Sequence, residues 1–309
     1  MKTLLPLEPE RIYLTDGGLE TTLIFHDGLD LPCFAAFDLL KNEAGRATLT
    51  RYFQRYASLA VEARSGFILE SPTWRASRDW GAKLGYDEHQ IAAVNRDAIS
   101  LMKSVRDEFE NDESPMIVSG NIGPRGDGYV VAEQMTVDEA RRYHQHQVDA
   151  LAAAGAELVS AITMTYVDEA IGIVSAAQRA SLPVVIGFTT ETDGRLPSGA
   201  SLDAAIDGVD EATGHGPAYY MVNCAHVDHF SAALAEDAAW TQRIRGIRAN
   251  ASRLSHAELD ECEALDDGDP QEFGELYRKL KDRLPHLLVF GGCCGTDHRH
   301  VDAVRLAVC

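Results

Sequence analysis

The chain has 309 residues, of which 45% are apolar and 25% are charged, a composition typical of a water-soluble globular protein with a sizeable core. Its 28 Lys and Arg stand against 48 Asp and Glu, and the net charge of −20 argues against nucleic acid or an anionic membrane surface as a partner. No run approaches the roughly 18 apolar residues of a membrane span. Pro6 and Glu8 interrupt the apolar start of the chain, so we expect a cytoplasmic protein without a signal peptide.

Short apolar runs alternate with longer amphipathic segments through the first half of the chain. The first four runs are RIYLTDG (11–17), GFILES (66–71), PMIVSGNIG (115–123) and LVSAITMT (158–165). The helical segments that follow them cover residues 44–64, 89–109, 136–155 and 167–180. In the third segment, Thr136 and Glu139 form a capping-box pattern, and Gly155 marks the end of the helix. Each pair predicts a strand followed by a helix.

The same alternation continues in the second half. The apolar runs there are PVVIGFTT (183–190), AYYMVNCA (218–225), RGIRANAS (245–252) and HLLVFGGCCG (286–295). The helical segments cover residues 201–213, 227–237, 269–284 and 298–308, and Thr296 and Asp297 precede the last one as N-cap candidates. The chain therefore contains eight strand–helix units.

Eight such units predict a parallel sheet that is buried on both faces and closes into a (β/α)8 TIM barrel, in one α/β domain spanning residues 1–309. An open, doubly wound sheet is the alternative. The turn after the first strand, TDGGLETT, lacks the G-x-G-x-x-G of a dinucleotide-binding fold, and the chain has no G-x-x-x-x-G-K-[ST] motif. These absences favour the barrel.

Unusual residues follow the predicted strands at their carboxyl ends, where the active site of such a barrel lies. They are Asp16, Gly17 and Gly18 after strand 1, Asn121 after strand 3, Asn223 and Cys224 at strand 6, Asn250 at strand 7, and Cys293 and Cys294 at strand 8. We expect Cys224 to approach the neighbouring pair across the barrel mouth. Three thiolates favour zinc as a tetrahedral ion whose fourth position is open or held by a weak ligand.

The remaining cysteines and the histidines are weaker candidates. Cys33, Cys262 and Cys309 follow no predicted strand end among polar neighbours, and we expect them to be small buried hydrophobic residues. His226 and His229 follow Cys224 closely and are candidates to support a metal ligand.

A zinc ion that already carries three thiolates is a poor activator of water, but it binds a further thiol as a thiolate that stays nucleophilic. The pattern therefore favours alkyl transfer to a thiol over hydrolysis. Methyl donors with a good leaving group are sulfonium, quaternary ammonium or corrinoid compounds. Trp74 and Trp80 follow strand 2, and we expect their rings to attract a cationic donor.

Five segments of the chain, in order, resemble the homocysteine S-methyltransferase family, which includes betaine–homocysteine and S-methylmethionine–homocysteine methyltransferases. They are LTDGGLETTL, TDGRLPSG, VNCAHV, IRANAS and GGCCGTDHRHV. The resemblance implies a barrel enzyme whose zinc is held by Cys224, Cys293 and Cys294. It also implies that Asp16, Gly17 and Gly18 contact the amino acid portion of the acceptor, with N–H groups near the glycines binding its carboxylate. Asn223 would organise the site beside the metal.

The chain departs from the family pattern after strand 4. Where the family commonly has F-E-T-I-P, with a glutamate that binds the homocysteine ammonium, this chain places Ile162 followed by Thr163. Either another carboxylate at a strand end, Asp16, Glu70 or Glu191, replaces that glutamate, or the acceptor is a different thiol.

Homocysteine is the first-choice acceptor. A non-catalytic zinc or thiol-sensing barrel and a redox dithiol enzyme using Cys293 and Cys294 are the competing hypotheses. No C-x-x-C motif supports the redox hypothesis. The sequence leaves open assembly into a homo-oligomer and delivery of the methyl group by a separate corrinoid protein.

Overall fold

Eight parallel strands close into a barrel in the computed structural model, which describes residues 7–8, 11–131, 133–262 and 264–309. The strands are β1 (Tyr13–Leu14), β2 (Gly66–Glu70), β3 (Met116–Ile122), β4 (Leu158–Met164), β5 (Val184–Phe188), β6 (Tyr219–Asn223), β7 (Ile244–Ala249) and β8 (Val289–Gly292). Each strand pairs with the next along the chain, and Tyr13 of β1 pairs with Val289 of β8 to close the ring. The predicted (β/α)8 barrel is confirmed.

A helix follows every strand and packs against the outside of the barrel. The eight helices are α1 (Glu43–Ala63), α2 (Glu88–Phe109), α3 (Val137–Ala153), α4 (Val167–Arg179), α5 (Leu202–Thr213), α6 (Val227–Phe230), α7 (Pro270–Arg283) and α8 (His298–Val308). The capping box of Thr136 and Glu139 and the N-cap of Asp297 form as predicted. Among the described residues, no helix combines the length and apolar composition needed to cross a bilayer.

Two predicted boundaries were wrong. The first strand is limited to two residues, because the chain turns at Thr15 to Gly18 to enter the barrel mouth. The helix after β6 ends at Phe230 instead of residue 237 and tightens into a 3-10 turn, Ser231–Ala233. Arg283 donates a 2.6 Å hydrogen bond to the carbonyl of Ser231, which removes an acceptor that a continuing α-helix would use.

Further short helices lie in the connections. They are the α-helices Leu19–Thr21, Arg78–Lys83 and His256–Asp260, the π-helix Thr22–His26, and the 3-10 helices Pro32–Phe34, Ala36–Lys41 and Thr241–Arg243. Three of these elements lie between β1 and the 3-10 helix that precedes α1. The connections after β1, β2 and β7 therefore contain short helices, and these surround the carboxyl ends of the strands.

The interior of the barrel changes from apolar to polar along the strands. Its lower part is filled by an apolar cluster that includes Tyr13, Ile68, Ile117, Leu158, Val185, Tyr219 and Val289. Two residues further along, on the same face of their strands, lie the buried polar residues Thr15, Glu70, Ser119 and Ser160. The apolar cluster closes the barrel from below, and the polar layer forms the floor of the open end.

Candidate metal and substrate site

A cavity of about 390 Å³ opens at the carboxyl ends of the strands. Its walls come from the ends of β1, β2, β3, β4, β6, β7 and β8 and from the connections after them. The site residues predicted from the sequence that line it include Asp16, Gly17, Gly18, Glu70, Trp74, Asn121, Cys224, Cys293 and Cys294. This volume lies within the range of pockets that hold a small molecule.

The three predicted metal ligands meet at one wall of this cavity. The sulfur atoms of Cys224, Cys293 and Cys294 all lie within 4.8 Å of one another, and those of Cys224 and Cys294 are 3.6 Å apart. Three sulfurs bound to one tetrahedral ion at about 2.3 Å would be about 3.8 Å apart. The donor set and its spacing therefore fit zinc.

Cys224 reaches the cluster from a left-handed backbone conformation, with φ of 57°, which is uncommon for a residue with a side chain. Hydrogen bonds hold it there. Its N–H donates to the carbonyl of Arg248 at 3.0 Å, and its own carbonyl accepts from Thr189 Oγ1 at 3.0 Å and from His256 Nε2 at 2.8 Å. The strands on either side of β6 thus impose a turn that aims the thiol at the barrel mouth.

Cys293 and Cys294 are held by the turn between β8 and α8. Cys293 donates its N–H to Ala249 at 2.8 Å, and the carbonyl of Cys293 accepts from Thr296 Oγ1 at 2.7 Å. Gly295 follows with φ of 78°, a conformation that favours glycine. Gly18 packs so closely that a Cβ there would lie 2.5 Å from the carbonyl oxygen of Cys293. The DGG segment therefore shapes the metal loop as well as the cavity.

The thiols of Cys224 and Cys293 have pKa values that are shifted in opposite directions. Hydrogen bonds from Cys224 and Cys294 lower the pKa of Cys293 well below its ordinary value, and the positive charge of Arg248 acts in the same direction. The same sulfur contacts raise the pKa of Cys224 well above its ordinary value. Cys293 is thus the first thiol to ionise, and a divalent cation is the partner that would let all three exist as thiolates.

Tyr129, which the sequence analysis did not single out, covers the cysteines. Its phenolic oxygen lies 3.2 Å from Cys294 Sγ and 3.4 Å from Cys224 Sγ. Its ring stacks on His256 with a centroid distance of 4.1 Å. The loop that carries it follows β3 and has no periodicity, so nothing in the sequence marks it. Its hydroxyl thus contacts two of the three sulfurs on the side that faces the cavity.

Asp16 is bound by Arg248, which was not among the site residues predicted from the sequence. Arg248 Nη2 donates to Asp16 Oδ1 at 2.7 Å, and Tyr52 donates its hydroxyl to Asp16 Oδ2 at 3.1 Å. Burial raises the pKa of Asp16, and Arg248 opposes that shift. Arg248 also lies 4.0 Å from Glu70, which faces the same cavity. One guanidinium is thus shared by two buried carboxyl groups.

Gly18, which the resemblance places against the acceptor, already uses its N–H. It donates to the carbonyl of Thr296 at 3.0 Å and lies 3.1 Å from Thr296 Oγ1. The expected bond from this N–H to a carboxylate therefore has a competitor within the protein. Gly17 packs beneath Tyr56, whose hydroxyl would lie 2.8 Å from a Cβ at that position.

Asn223 joins β4 to the cluster. Its Oδ1 accepts from the N–H of Thr163 at 2.9 Å, and its Nδ2 donates to Thr163 Oγ1 at 2.9 Å. Nδ2 also lies 4.0 Å from Cys293 Sγ. Thr163 has φ of 64°, so Asn223 fixes a strained turn at the bulge of β4. That turn places Ile162 in the cavity wall.

The two tryptophan candidates differ in whether they reach the cavity. Trp74 lines the cavity and donates its Nε1–H to the carbonyl of Ile162 at 3.3 Å. The guanidinium of Arg75 already lies 4.0 Å from the centre of that ring. Trp80 is not part of the cavity wall, and its ring contacts Arg75 and Lys83 instead. Only Trp74 is placed to meet a ligand.

The candidates Glu191, His226 and His229 are not part of the cavity wall. Glu191 lies outside the cavity wall, 3.4 Å from Nδ1 of His256. His226 accepts from the N–H of Asp228 at the start of α6, and His229 Nε2 donates to the carbonyl of Arg253. The histidine that supports the cluster is His256, through the carbonyl of Cys224.

The expectation that the other three cysteines are buried was wrong. Cys33, Cys262 and Cys309 are exposed, because the first two lie in connections at the rim of the barrel and the third ends the last helix. Cys262 lines the cavity but is not part of the cluster of three. It offers a matched control for the metal ligands.

Comparisons with known proteins agree with this architecture. The family model described as homocysteine S-methyltransferase matches residues 13–308. Homocysteine S-methyltransferase 1 of Arabidopsis thaliana is 21% identical, over 94% of this chain and 91% of that protein. Homocysteine S-methyltransferase of Escherichia coli is 25% identical, over 97% and 96%.

Solved structures share the fold. The homocysteine methyltransferase MmuM of Escherichia coli in its oxidised form superposes with a TM-score of 0.76 at 18% identity, covering 97% of this chain and 96% of that one. Its metallated form superposes with a TM-score of 0.73 at 19% identity, covering 96% of both chains.

Proposed function

The chain belongs to the homocysteine S-methyltransferase family, and from that premise we propose that it transfers a methyl group from a cationic or corrinoid donor to a thiol bound at a zinc ion held by Cys224, Cys293 and Cys294. The observation that carries the proposal is the convergence of these three sulfurs on the wall of the cavity that reaches the polar floor of the barrel. Homocysteine is the acceptor we propose first.

Zinc with three thiolate ligands supplies a position at which a further thiol binds as a nucleophilic thiolate at neutral pH. The chain's own residues position the metal ligands and enclose the cavity. Asn223 and the turn at Gly295 hold the cysteines in place, and Asp16 with Arg248 fixes the floor beneath them. The loop of Tyr129 closes the cavity above, and its hydroxyl has to leave the sulfurs before an acceptor can take that place.

The transfer itself is a displacement at carbon. A bond forms between the acceptor sulfur and the methyl carbon as the bond from that carbon to the donor breaks. The bonding electron pair stays with the donor's sulfur, nitrogen or cobalt. A cationic donor becomes neutral in this step, so a negative cavity attracts the donor more strongly than the product.

The charges of the cavity wall support a cationic donor. Five carboxyl groups line it, against two guanidinium groups, so its electrostatic potential is negative when those groups are ionised. Trp74 and Tyr129 add aromatic surface. A sulfonium or quaternary ammonium donor fits this lining, and delivery by a separate corrinoid protein is the remaining donor class.

The test is a donor screen with zinc-loaded protein and homocysteine. S-methylmethionine, glycine betaine and methylcobalamin are supplied in separate reactions, and methionine is measured. We expect methionine from one of them, loss of activity in Cys293→Ser, and normal activity in Cys309→Ser, whose thiol is exposed at the end of α8.

Stoichiometric zinc without transfer to any thiol would support the zinc or thiol-sensing hypothesis instead. Absence of zinc with reversible oxidation of Cys293 and Cys294 would support the redox hypothesis.

A second acceptor class is favoured by one observation. Ile162 is an apolar part of the cavity wall at the position where the resemblance leads us to expect a glutamate. A thiol without an ammonium group would face Ile162 at no electrostatic cost. Repeating the screen with thiols of both kinds separates the two classes.

A further inference from the structure

We propose that Glu169 is a positioning residue that ties the loop carrying Tyr129 to α4 and so holds Tyr129 over the three clustered cysteines. This loop, the Tyr129 loop, comprises residues 123–135 after β3, and all of them except residue 132 are described. The inference goes beyond the proposed function, because it concerns access to the thiols and requires neither a metal nor a methyl donor.

The Tyr129 loop reaches the cysteines through one side chain. The phenolic oxygen of Tyr129 lies 3.4 Å from Cys224 Sγ and 3.2 Å from Cys294 Sγ, and the ring stacks on His256 at a centroid distance of 4.1 Å. The next residue, Val130, is 60% exposed, so the tip of the loop lies at the surface. Access to the sulfurs from the cavity therefore depends on where the loop holds Tyr129.

The tip of the loop is ordered by bonds within itself. Oδ1 of Asp127 accepts from the N–H of Tyr129 at 2.7 Å and from the N–H of Val130 at 3.2 Å. Such a turn orients the two residues relative to Asp127. Asp127 is itself exposed, so these bonds shape the tip but do not fix its position on the barrel.

The two ends of the loop are both bound at the start of α4. The N–H of Arg125 donates to Oε1 of Glu169 at 2.8 Å, and the N–H of Met135 donates to the hydroxyl of Tyr166 at 3.1 Å. Tyr166 is the N-cap residue of α4, and Glu169 lies in its first turn. Burial raises the pKa of Tyr166, and the charge of the neighbouring Glu169 raises it further. One helix end thus binds both ends of the loop.

A comparison with α3 shows that this use of the glutamate is unusual. Glu139 is the third residue of α3 and accepts from the N–H of its own N-cap residue, Thr136, at 2.9 Å. That bond closes the start of the helix. Glu169 is likewise the third residue of α4, but its Oε1 accepts from Arg125 of the Tyr129 loop. In α4 the equivalent carboxylate therefore binds another segment of the chain.

Glu169 is also buried, which makes its bonds to the loop stronger than those of a surface carboxylate. Its side chain is 1% exposed and lies 2.9 Å from Nε2 of His144 on α3, which is 0% exposed. A buried carboxylate is unfavourable unless it is paired and hydrogen-bonded. His144, the N-terminal end of α4 and the N–H of Arg125 together meet this requirement.

The loop has two further contacts, both with the connection after β2. Arg125 Nε donates to Asp79 Oδ2 at 2.7 Å, but these side chains are 45% and 35% exposed, and such a pair contributes little in water. Arg75 Nη1 donates to the carbonyl of Gly126 at 2.8 Å and holds the middle of the loop. Loss of Glu169 should therefore loosen the loop without releasing it completely.

The test measures how fast each cysteine of the full-length, metal-free protein reacts with iodoacetamide, with mass spectrometry to quantify each site. We expect Glu169→Ala to speed alkylation of Cys224 and Cys294 by about 10-fold, as for the loss of one buried, charge-assisted hydrogen bond. The exposed Cys33 and Cys309 should keep their rates.

Asp168→Ala is the matched control, because Asp168 is the exposed neighbour of Glu169 in the same turn of α4. It should alkylate as the wild type does. Tyr166→Phe removes the hydroxyl that binds the N–H of Met135 and keeps the ring, and we expect it to speed alkylation of the clustered cysteines by about 3-fold. This variant decides the question if Glu169→Ala does not fold.

A second background distinguishes positioning of the loop from a general loss of stability. Tyr129→Ala removes the covering side chain itself, so adding Glu169→Ala or Tyr166→Phe to it should change the alkylation rates by less than about 2-fold. A general loss of stability would speed alkylation alike with and without Tyr129. Equal acceleration in the two backgrounds therefore overturns the inference, and so do wild-type rates in both Glu169→Ala and Tyr166→Phe.

The outcome is independent of the proposed function. If no donor yields methionine but Glu169→Ala exposes the clustered thiols only when Tyr129 is present, the methyl transfer fails and the positioning role stands. If methionine forms but the alkylation rates do not respond to these variants, the positioning role is refuted and the methyl transfer stands.

Discussion

The phenolic oxygen of Tyr129 lies 3.2 Å from the sulfur of Cys294, although 165 residues separate them in sequence. Together with the 3.4 Å distance to Cys224, this contact places a hydroxyl against two of the three clustered sulfurs. On the proposed function, we expect the incoming acceptor and the Tyr129 hydroxyl to compete for one position beside the sulfurs.

Tyr129→Phe should strengthen acceptor binding. The variant removes the hydroxyl that contacts two sulfurs but keeps the ring that stacks on His256. We expect a 3- to 10-fold lower dissociation constant for homocysteine on zinc-loaded protein, in line with the loss of a modest hydrogen bond in the free state. Calorimetry measures it, and Tyr143→Phe, remote from the cysteines, is the control. Weaker binding in Tyr129→Phe would show that the hydroxyl supports the acceptor instead of competing with it.

Removing one thiol of the cluster should remove the metal. Cys224→Ser and Cys293→Ser each leave two sulfur ligands, and we expect less than a tenth of the wild-type zinc after dialysis against a weak chelator. Cys262→Ser changes another cysteine of the same cavity and should keep about one zinc per chain. Metal analysis of the three proteins measures the zinc content per chain. Equal zinc loss in all three would mean that the ion is held elsewhere.

Glu70→Gln should stabilise the metal-free protein at alkaline pH. The pKa of Glu70 is raised from 4.5 to about 7 in the folded state, so the folded protein holds a proton that the unfolded chain loses between these values. Wild-type stability therefore falls as pH rises from about 4.5 to 7, and the variant lacks this loss.

Urea unfolding at several pH values measures this effect. We expect Glu70→Gln to gain about 1–3 kcal/mol over wild type at pH 8 and less than about 1 kcal/mol at pH 5. The exposed Glu211→Gln removes a negative charge without removing a buried one and controls for the net charge of −20. A gain that is the same at both pH values would contradict the raised pKa.

Arg248→Met should destabilise the fold because it leaves Asp16 buried beside no cation. Removing one partner of a buried ion pair costs about 3–5 kcal/mol. The double variant Asp16→Asn/Arg248→Met should recover part of this loss, since the charge of Asp16 is removed with its partner and Glu70 alone stays without a cation. Chemical unfolding at pH 7.5 tests both. A double variant as unstable as Arg248→Met alone would argue that packing, not charge, is the reason.

Periodicity predicted the barrel because its evidence is local. Buried parallel strands are short apolar runs, and each is followed by an amphipathic helix, so eight units can be counted without knowing any long-range contact. The cysteines were found for the same reason, since each lies where a predicted strand ends. The helix after β6 was predicted too long because the Arg283 contact that ends it comes from 52 residues away.

The parts of the site that were missed depend on contacts between distant segments. Tyr129 lies in a loop whose course over the cysteines no periodic pattern reveals. Arg248 was detectable, because a charged residue between Ile247 and Ala249 interrupts an otherwise buried strand. Its alternation with Ile247 places it inside the barrel, but its pairing with Asp16 requires the closed ring. Likewise, Ile162 was identified from sequence, whereas the buried Glu70 oxygen without a hydrogen-bond partner among the described residues became visible only in the assembled barrel.

Zinc K-edge X-ray absorption of the zinc-loaded protein, recorded with and without homocysteine, tests the central claim most directly. The arrangement of Cys224, Cys293, Cys294 and Tyr129 predicts three sulfur neighbours and one lighter atom in the free protein, and four sulfurs at about 2.3 Å once the thiol is added. A sulfur count that stays the same on adding homocysteine, or a first shell with fewer than three sulfurs, would contradict it.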